Sequence, residues 1–509
     1  MIRKRSAILI TILISLAAIM YRSTHRTSPE PIIVVGSGLA GLSAAYTALQ
    51  SGAPSVHILE RAAKPGGNSF KASSGINGAP TYFQPASPNE DGNFYSDTIR
   101  SAGHRLSSDP TPDARAQRER LISVLTERSS QAIQFLTDLG VDLSVVTQLG
   151  GHSQARTHRG AGKTPPGVAI VSTLLEKLKT EFGDRFRLVL NCEVTKLLTN
   201  EAKGVTGVEY KLNGSEVSVL YGPVVFATGG FAGDTHGLLA RHRPDLSGLP
   251  STNEPRLGSH DVLTTAGARL VDMDSVQIHP TGFVDSQSPG VQLKFLAAEM
   301  LRGEGGILLY KGKRFVNELE TREHVSEAIM GLPEAKADGE LRQWDVQLLL
   351  DPGAAKVAEG HVSFYVWKGL LKKVKVKDLD ETTQRTLKGY AEVVLGGGEK
   401  VDEFGRRAFG HWSLGVKGWD DEAEVCVGRV TPIVHFTMGG VVINDHAQVL
   451  STDLGQEQKP IPGLWAAGEI TGGVHGDNRL GGSSLLECVV FGRISGEQAA
   501  QAALKAGEA

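Results

Sequence analysis

Two groups of residues at opposite ends of this 509-residue chain have the types and spacing to do redox chemistry on an anion. Near the C-terminus, His435 stands in His435-Phe436-Thr437-Met438-Gly439-Gly440 and Arg479 in Asn478-Arg479-Leu480-Gly481-Gly482. Imidazole and guanidinium groups bind a small dianion and stabilise negative charge that builds beside a carboxylate. Near the N-terminus, Gly36-Ser37-Gly38-Leu39-Ala40-Gly41 has the Gly-x-Gly-x-x-Gly spacing that brings backbone amides against a pyrophosphate. A redox cofactor at the front and cations at the back suit an enzyme that moves hydride to or from a dicarboxylate.

Such a glycine fingerprint works only between a strand and a helix. Pro31 to Gly36 reads as a buried strand, Ala40 to Gln50 as the helix after it, and Val56 to Glu60 as a second strand ending in an acid. Glu60, with Arg61 beside it, is placed to hold a ribose diol. An FAD bound in extended form needs further small-residue passages, because the backbone runs alongside the pyrophosphate and the ring. Gly67, Asn68 and Ser69 form one such passage; Ala72, Ser73, Ser74, Gly75 and Asn77 form another. Thr228, Gly229 and Gly230 follow a buried strand over Pro223 to Thr228, and Glu469 follows Ala467-Gly468. Val194 joins them from a strand read over Arg187 to Leu198. A last helix from Ser483, with Ser484 and Leu485 in its first turn, aims amides at the flavin's pyrimidine edge. These passages, in this order, favour FAD over NAD.

The rest of the chain is organised around that frame. Ala114 to Leu139 reads as one long helical stretch, Val168 to Lys179 as a helix after Pro165-Pro166, and Asn213-Gly214 as a hairpin turn after a strand over Gly207 to Leu212. From about Val276 to Arg429 long loops, most of the Trp residues and a basic run (Lys368 to Lys377) suggest a separate cap, the basic run forming a solvated face. The expected fold class is α/β: a Rossmann-like FAD-binding domain, residues 30–275 and 430–506, with an inserted α+β capping domain, residues 276–429. Residues 1–29 form a leader.

Composition narrows the functions. The 61 glycines concentrate in motifs rather than repeats, which fits close approach to a cofactor. A net charge of −3, with no basic stripe, gives no field for nucleic acid. Cys192, Cys426 and Cys488 are too scattered for haem attachment, iron–sulfur ligation or a disulfide framework, and read as buried thiols. No metal site is read, so electrons arrive from a soluble donor or a separate protein. In the leader, Arg3-Lys4-Arg5 precede an apolar run from Ala7 to Met20, with no acid before Glu30. This suits a signal sequence or signal-anchor and a location in the lumen or at the membrane of the endoplasmic reticulum. A mitochondrial presequence is the alternative. Asn213-Gly214-Ser215 matches a glycan-acceptor triplet.

Seven ordered stretches carry a family resemblance: IVVGSGLAGLSAAY, PGGNSFKASSGINGA, LGGHSQARTHR, VQIHPTGF, LRGEGGILL, VHFTMGGV and GGVHGDNRLGGSSLLECVVFG. From about Pro31 to Ala499 the chain resembles the flavoprotein subunits of fumarate reductases and succinate dehydrogenases, above all the soluble single-chain fungal type. The resemblance implies FAD-dependent reduction of fumarate to succinate, by hydride transfer from flavin N5, with reduced flavin or another soluble donor as electron source. It implies that His279 contacts substrate at a domain junction, that Glu299 and Arg302 relay protons, and that Arg322 delivers the proton. His435 and Arg479, with Gly482 beside them, clamp a substrate carboxylate. Taken without the family, His279 beside Pro280 also reads as a structural junction residue, Arg302 and Arg322 as surface ion pairs, and Arg479 as part of a helix start. Glu299 and Arg302 lie three apart, neighbours on a helix.

Three departures from the family pattern matter. Ser69 stands where membrane-bound relatives carry a flavin-linked histidine, which implies noncovalent FAD. Ala298 replaces a threonine that contacts a carboxylate, leaving the second carboxylate's partner open. Glu323 replaces an aspartate. Other readings of the same fold are an aspartate oxidase, a urocanate-type reductase and, in another class, a noncatalytic Rossmann-fold binding protein.

Overall fold

The computed structural model describes residues 30–84, 93–107, 112–335, 341–396, 401–451 and 459–508, so the expected leader lies outside the described residues. Strand β1 (Ile32–Val35) is four buried apolar residues, the pattern of a strand covered on both faces. It leads through Gly36 into helix α1 (Leu39–Gln50), and strand β2 (Val56–Leu59) follows. Gly36 has φ +102°, and a Cβ there would lie 2.4 Å from the Ala227 carbonyl oxygen, so only glycine makes this turn. In the six-stranded sheet the order is Gln448–Leu450, Pro460–Ala466, Val224–Phe226, β1, β2, Phe186–Val189. All neighbours are parallel except the edge pair Gln448–Leu450 with Pro460–Ala466. The turns that read as cofactor passages follow the carboxyl ends of these parallel strands.

A second, antiparallel sheet carries His279 and His435, two of the residues expected at the substrate. Strand β3 (Val276–Phe283) precedes helices α2 (Arg322–Met330) and α3 (Glu359–Trp367), and strand β4 (Glu424–Thr437) closes the segment. β4 is 14 residues long and acts as a spine. Its first half pairs with Val346–Leu350 and Lys372–Lys375, and its second half pairs with β3. It thereby delivers His435 beside His279, and register shifts on either side of His279 re-aim that strand. The long loops expected over 276–429 are in large part strands and helices. Short β-segments broken by bulges and glycines hide the period of two that would have marked them. The apolar core under this sheet also takes in Phe231, Leu238, Leu239, Leu246 and Leu249. Of the basic run, Lys375 and Lys377 pair with Glu422 on the surface.

Helix α4 (Ser483–Glu508) returns to lie along α1. Gly492 and Gly496 let it approach; a Cβ at Gly496 would sit 2.2 Å from the Ala44 carbonyl oxygen. The Asn213-Gly214 hairpin forms with both residues at positive φ, 52° and 70°. Two expected elements are each two. The helix expected over Ala114 to Leu139 is Pro112–Glu127 and Ser129–Asp138, broken at Arg128, where Ser129 Oγ turns to donate to the Ala79 carbonyl at 2.9 Å. The strand expected over Arg187 to Leu198 divides into Phe186–Val189 and Cys192–Thr199, in different sheets. Asn191 makes the corner at φ 50°, a conformation asparagine tolerates.

Candidate active site

The glycine turn and the acid of β2 meet as their spacing requires. Ser37 donates its amide (2.9 Å) and hydroxyl (2.6 Å) to Glu60 Oε2, and the Ala62 amide donates to Oε1 at 2.8 Å. Arg61 reaches the Leu257 carbonyl at 2.8 Å, and burial holds its guanidinium below the usual range. Ser69 Oγ accepts the Leu39 amide at 3.1 Å, which ties the Gly67–Ser69 passage to the start of α1. Asn68 bonds Asn253 across the molecule. Along this path a Cβ on Gly229 would meet nothing within 4 Å, and one on Gly67 only the Gly38 Cα at 3.8 Å. Ser73 Oγ and Thr228 Oγ1 are buried with no hydrogen-bond partner among the described residues. Open space lined by glycines and two orphaned hydroxyls fit a dinucleotide laid across the carboxyl edge of the sheet. Ala40, Gly41, Ala72, Ser74, Gly75, Gly230, Ser484 and Leu485 lie on the same turns and helix starts, and Val194 lies on the strand Cys192–Thr199. Asn77 behaves differently. Its amide nitrogen donates to the Gly481 carbonyl (2.7 Å) and Ser483 Oγ (2.9 Å), and its oxygen accepts from Thr157. It latches the loop that carries Arg479.

Across from that path, β3, α2, β4 and the 476–483 loop converge. Arg322 Nε donates to Glu299 Oε2 at 2.7 Å, a terminal nitrogen donates to the same oxygen, and the other donates to Gln277 Oε1 at 2.8 Å. Arg479 donates to that same Gln277 oxygen at 3.1 Å, and its guanidinium carbon lies 4.3 Å from the Phe436 ring centroid. Arg302 Nη2 stands 4.0 Å from Glu299, and Arg302 Nη1 donates to the Glu318 carbonyl at 2.7 Å. His279 and His435 stack edge to face with ring centroids 5.4 Å apart. Arg322, His435 and Arg479, distant in sequence, are thus parts of one cluster, together with His279, Glu299 and Arg302. Gly482, at φ +81°, follows Gly481, where a Cβ would meet Glu299 Oε2 at 2.9 Å.

Three buried arginines, Arg302, Arg322 and Arg479, gather here; Glu299 pairs with Arg322 and Arg302, while Glu469 and Glu487 act on Arg479 from further off. Burial and the neighbouring Arg322 push Arg479 down to about 9. His279 and His435 are held well below the usual imidazole range, first by burial and then by the arginines, so both are neutral at pH 7. Burial works to raise the Glu299 carboxyl, but Arg322 and Arg302 outweigh it and hold it below its ordinary value, ionised. His279 Nε2 and Arg479 Nε have no hydrogen-bond partner among the described residues. Buried donors left open within a positive cluster are what a small dianion satisfies.

Several contributors carry no signal of their own in the sequence. Gln277 sets the spacing of two guanidiniums with one neutral oxygen. The Gly150 amide donates to Glu299 Oε1 at 3.2 Å. His152 Nε2 lies 3.0 Å from the Gly481 carbonyl, which can only accept, so its Nδ1 accepts from Arg156 at 2.9 Å and the ring is the neutral tautomer. Arg156 in turn pairs with Asp97 at 2.7 Å. The stretch LGGHSQARTHR was the available hint: two glycines and a histidine in a row mark a loop bent around something. Ala298, for its part, gives its amide to the Tyr365 hydroxyl at 3.3 Å.

Residues 31–485 match the family model described as FAD binding domain. The chain is 41% identical over 491 residues to "Fumarate reductase" of Schizosaccharomyces pombe, covering 93% of this chain and 90% of that protein. It is 40% identical to "Fumarate reductase 1" of Saccharomyces cerevisiae, covering 93% and 99%. Among solved structures it is similar to the open conformation of a flavocytochrome c3 fumarate reductase, with TM-score 0.68, 30% identity and coverage of 97% and 81%.

Proposed function

Because the chain belongs to the FAD-binding flavoprotein family that includes the fumarate reductases, we propose that it reduces fumarate to succinate with noncovalent FAD. The convergence of buried Arg322 and Arg479 on Gln277, with open donors on His279 and Arg479, is the observation that carries this reading. Bound FAD supplies a hydride to one alkene carbon. The chain does the rest. Arg479 and His435 hold one carboxylate and His279 the junction beside it, stabilising the charge that grows on the neighbouring carbon. Arg322 donates the proton to the other carbon. Its very high intrinsic pKa makes it a poor acid unless a base shares its proton and reloads it. Glu299 bonds it through two nitrogens, and Arg302 stands behind Glu299, so the relay runs Arg302, Glu299, Arg322.

Each turnover consumes two electrons, delivered by reduced flavin or another soluble donor. The leader 1–29 directs the chain to the endoplasmic reticulum, the mitochondrion being the other destination, and is its one membrane contact. No described helix is long and apolar enough to cross a membrane. Residues 30–275 and 430–506 form the cofactor domain and 276–429 the cap. The test uses leader-deleted protein. Anaerobically reduced protein is mixed with fumarate or urocanate, and oxidised protein with aspartate. Flavin colour should return with fumarate alone; a failure of fumarate to restore it rejects the reading.

A further inference from the structure

The cap carries an exposed aromatic cluster that the reaction above does not use. Along α3, Phe364 is 44% and Trp367 78% exposed, and Phe295, on the neighbouring strand Phe295–Leu296, is 47% exposed. Phe364 lies 6.4 Å from the Phe295 ring and 6.0 Å from that of Trp367, and Lys368 Nζ sits 5.0 Å over Phe295. Exposed apolar side chains normally scatter singly; a cluster of rings with a lysine over it marks a contact surface. Trp367 and Phe364 are reached from His361 along one face of α3, at steps of three residues.

That face begins at the cofactor path. His361 Nε2 lies 3.1 Å from the Ser73 carbonyl, and Ser73 belongs to the passage assigned to the flavin. With a helical rise of about 1.5 Å per residue, Trp367 stands about 9 Å further along α3. On the other flank, Gly360 abuts Lys163, whose Cα would lie 3.7 Å from a Cβ there. Tyr365, in the same turn as Phe364, donates to the Leu296 carbonyl at 3.0 Å and accepts the Ala298 amide, next to Glu299. The surface is therefore tied to both halves of the site. Among the described residues Lys163 and Lys368 form no ion pair, and the acid nearest along the helix is Glu359, at its opposite end.

We propose that Phe295, Phe364 and Trp367, with Lys368, form the docking site for the electron donor, and that this donor is a reduced flavin mononucleotide. This rests on the fumarate-reductase reading. The rings stack on the isoalloxazine, Lys368 takes the phosphate, and α3 leads from the docked donor to Ser73. The exchange balances: FMNH2 and fumarate give FMN and succinate, with two electrons and two protons passing from one to the other.

The test compares leader-deleted, FAD-loaded wild type with the double variant Phe364→Ser, Trp367→Ser and with Lys368→Glu. Three quantities are read: the KM for reduced FMN in anaerobic, fumarate-dependent FMN formation; equilibrium binding of FMN by ultrafiltration; and reoxidation by fumarate of protein already reduced with dithionite. The expected result is a KM raised about tenfold or more with FMN binding weakened alike. Trp367→Phe should largely restore both, and the dithionite-reduced protein should reoxidise at the wild-type rate in every variant. An unchanged KM and unchanged FMN binding in the double variant overturn the proposal, as does a wild type that dithionite reduces but reduced FMN does not. If the reduced wild type fails to reoxidise with fumarate while still binding FMN through these residues, the fumarate reading fails and the docking site stands.

Discussion

In the proposed reaction Arg322 is the central residue: each of its three nitrogens is anchored by one bond, two to Glu299 and one to Gln277, which leaves a second N–H on each terminal nitrogen for the substrate. Arg322→Ala should leave FAD bound, since among the described residues its side chain hydrogen-bonds Glu299 and Gln277 rather than the proposed cofactor path, and lower fumarate turnover by roughly 10²–10⁴-fold, the span of a lost general acid. Arg322→Lys keeps the charge yet cannot bridge Glu299 and Gln277 together, so it should rescue little. Flavin absorbance after gel filtration and turnover with reduced dye decide this; substantial activity in the alanine variant would move the acid elsewhere. At this scale the sequence announced the charged members but not their organiser. Arg322, His435 and Arg479 are residue types with strong chemistry inside long family stretches. Gln277 is a neutral amide, and its importance comes from two arginines meeting on one oxygen, a coincidence of the fold that no spacing encodes.

Among the elements, the contact of α4 with α1 links packing to the cofactor. α1 begins at the glycine turn proposed to hold the pyrophosphate and α4 begins beside the Arg479 loop, so any change in their separation is felt at both. A Cβ at Gly496 would press on the Ala44 carbonyl oxygen, a backbone atom that cannot rotate away. Gly496→Val should therefore lower the melting temperature and release FAD more readily, by an overpacking cost of about 1–3 kcal/mol. Thermal unfolding with flavin fluorescence measures both; a variant that melts and retains FAD like wild type would show that the helices tolerate separation. The βαβ opening was legible because an apolar run, a glycine turn and an apolar helix each state their own structure. β4 was not, since its 14 residues serve three partners with different registers and mix threonine, glycine and proline. Arg128 and Asn191 were missed as breaks for a similar reason, each being decided by a tertiary contact.

For the whole molecule, burial of histidine sets the response to acid. His152, His158 and His260 are each pushed down to about 4, chiefly by burial, and His279 and His435 lie well below the ordinary value. In the unfolded chain each titrates near 6.5, so below that pH the unfolded state binds the extra protons and stability falls as pH falls. Glu469 acts in the opposite sense. Burial raises it to about 7, so the folded state takes its proton first and gains stability between pH 7 and about 4.5. With His57 and His361, also lowered by burial, and Glu323, also raised, seven losses against two gains leave a net of five groups, each worth at most about 1.4 kcal/mol per pH unit. That slope consumes a typical folding stability of about 5–15 kcal/mol within a few pH units. Scanning the melting temperature from pH 7 to 5.5 should show a fall of several degrees that steepens below 6.5. The chain has 15 histidines, and nothing in their order distinguishes these five; the fold buries His152, His158, His260 and His279 and partly covers His435. A flat or rising profile would mean that some of them already carry a proton inside the fold, and the neutral pair assigned to the substrate site would be the first to be re-examined.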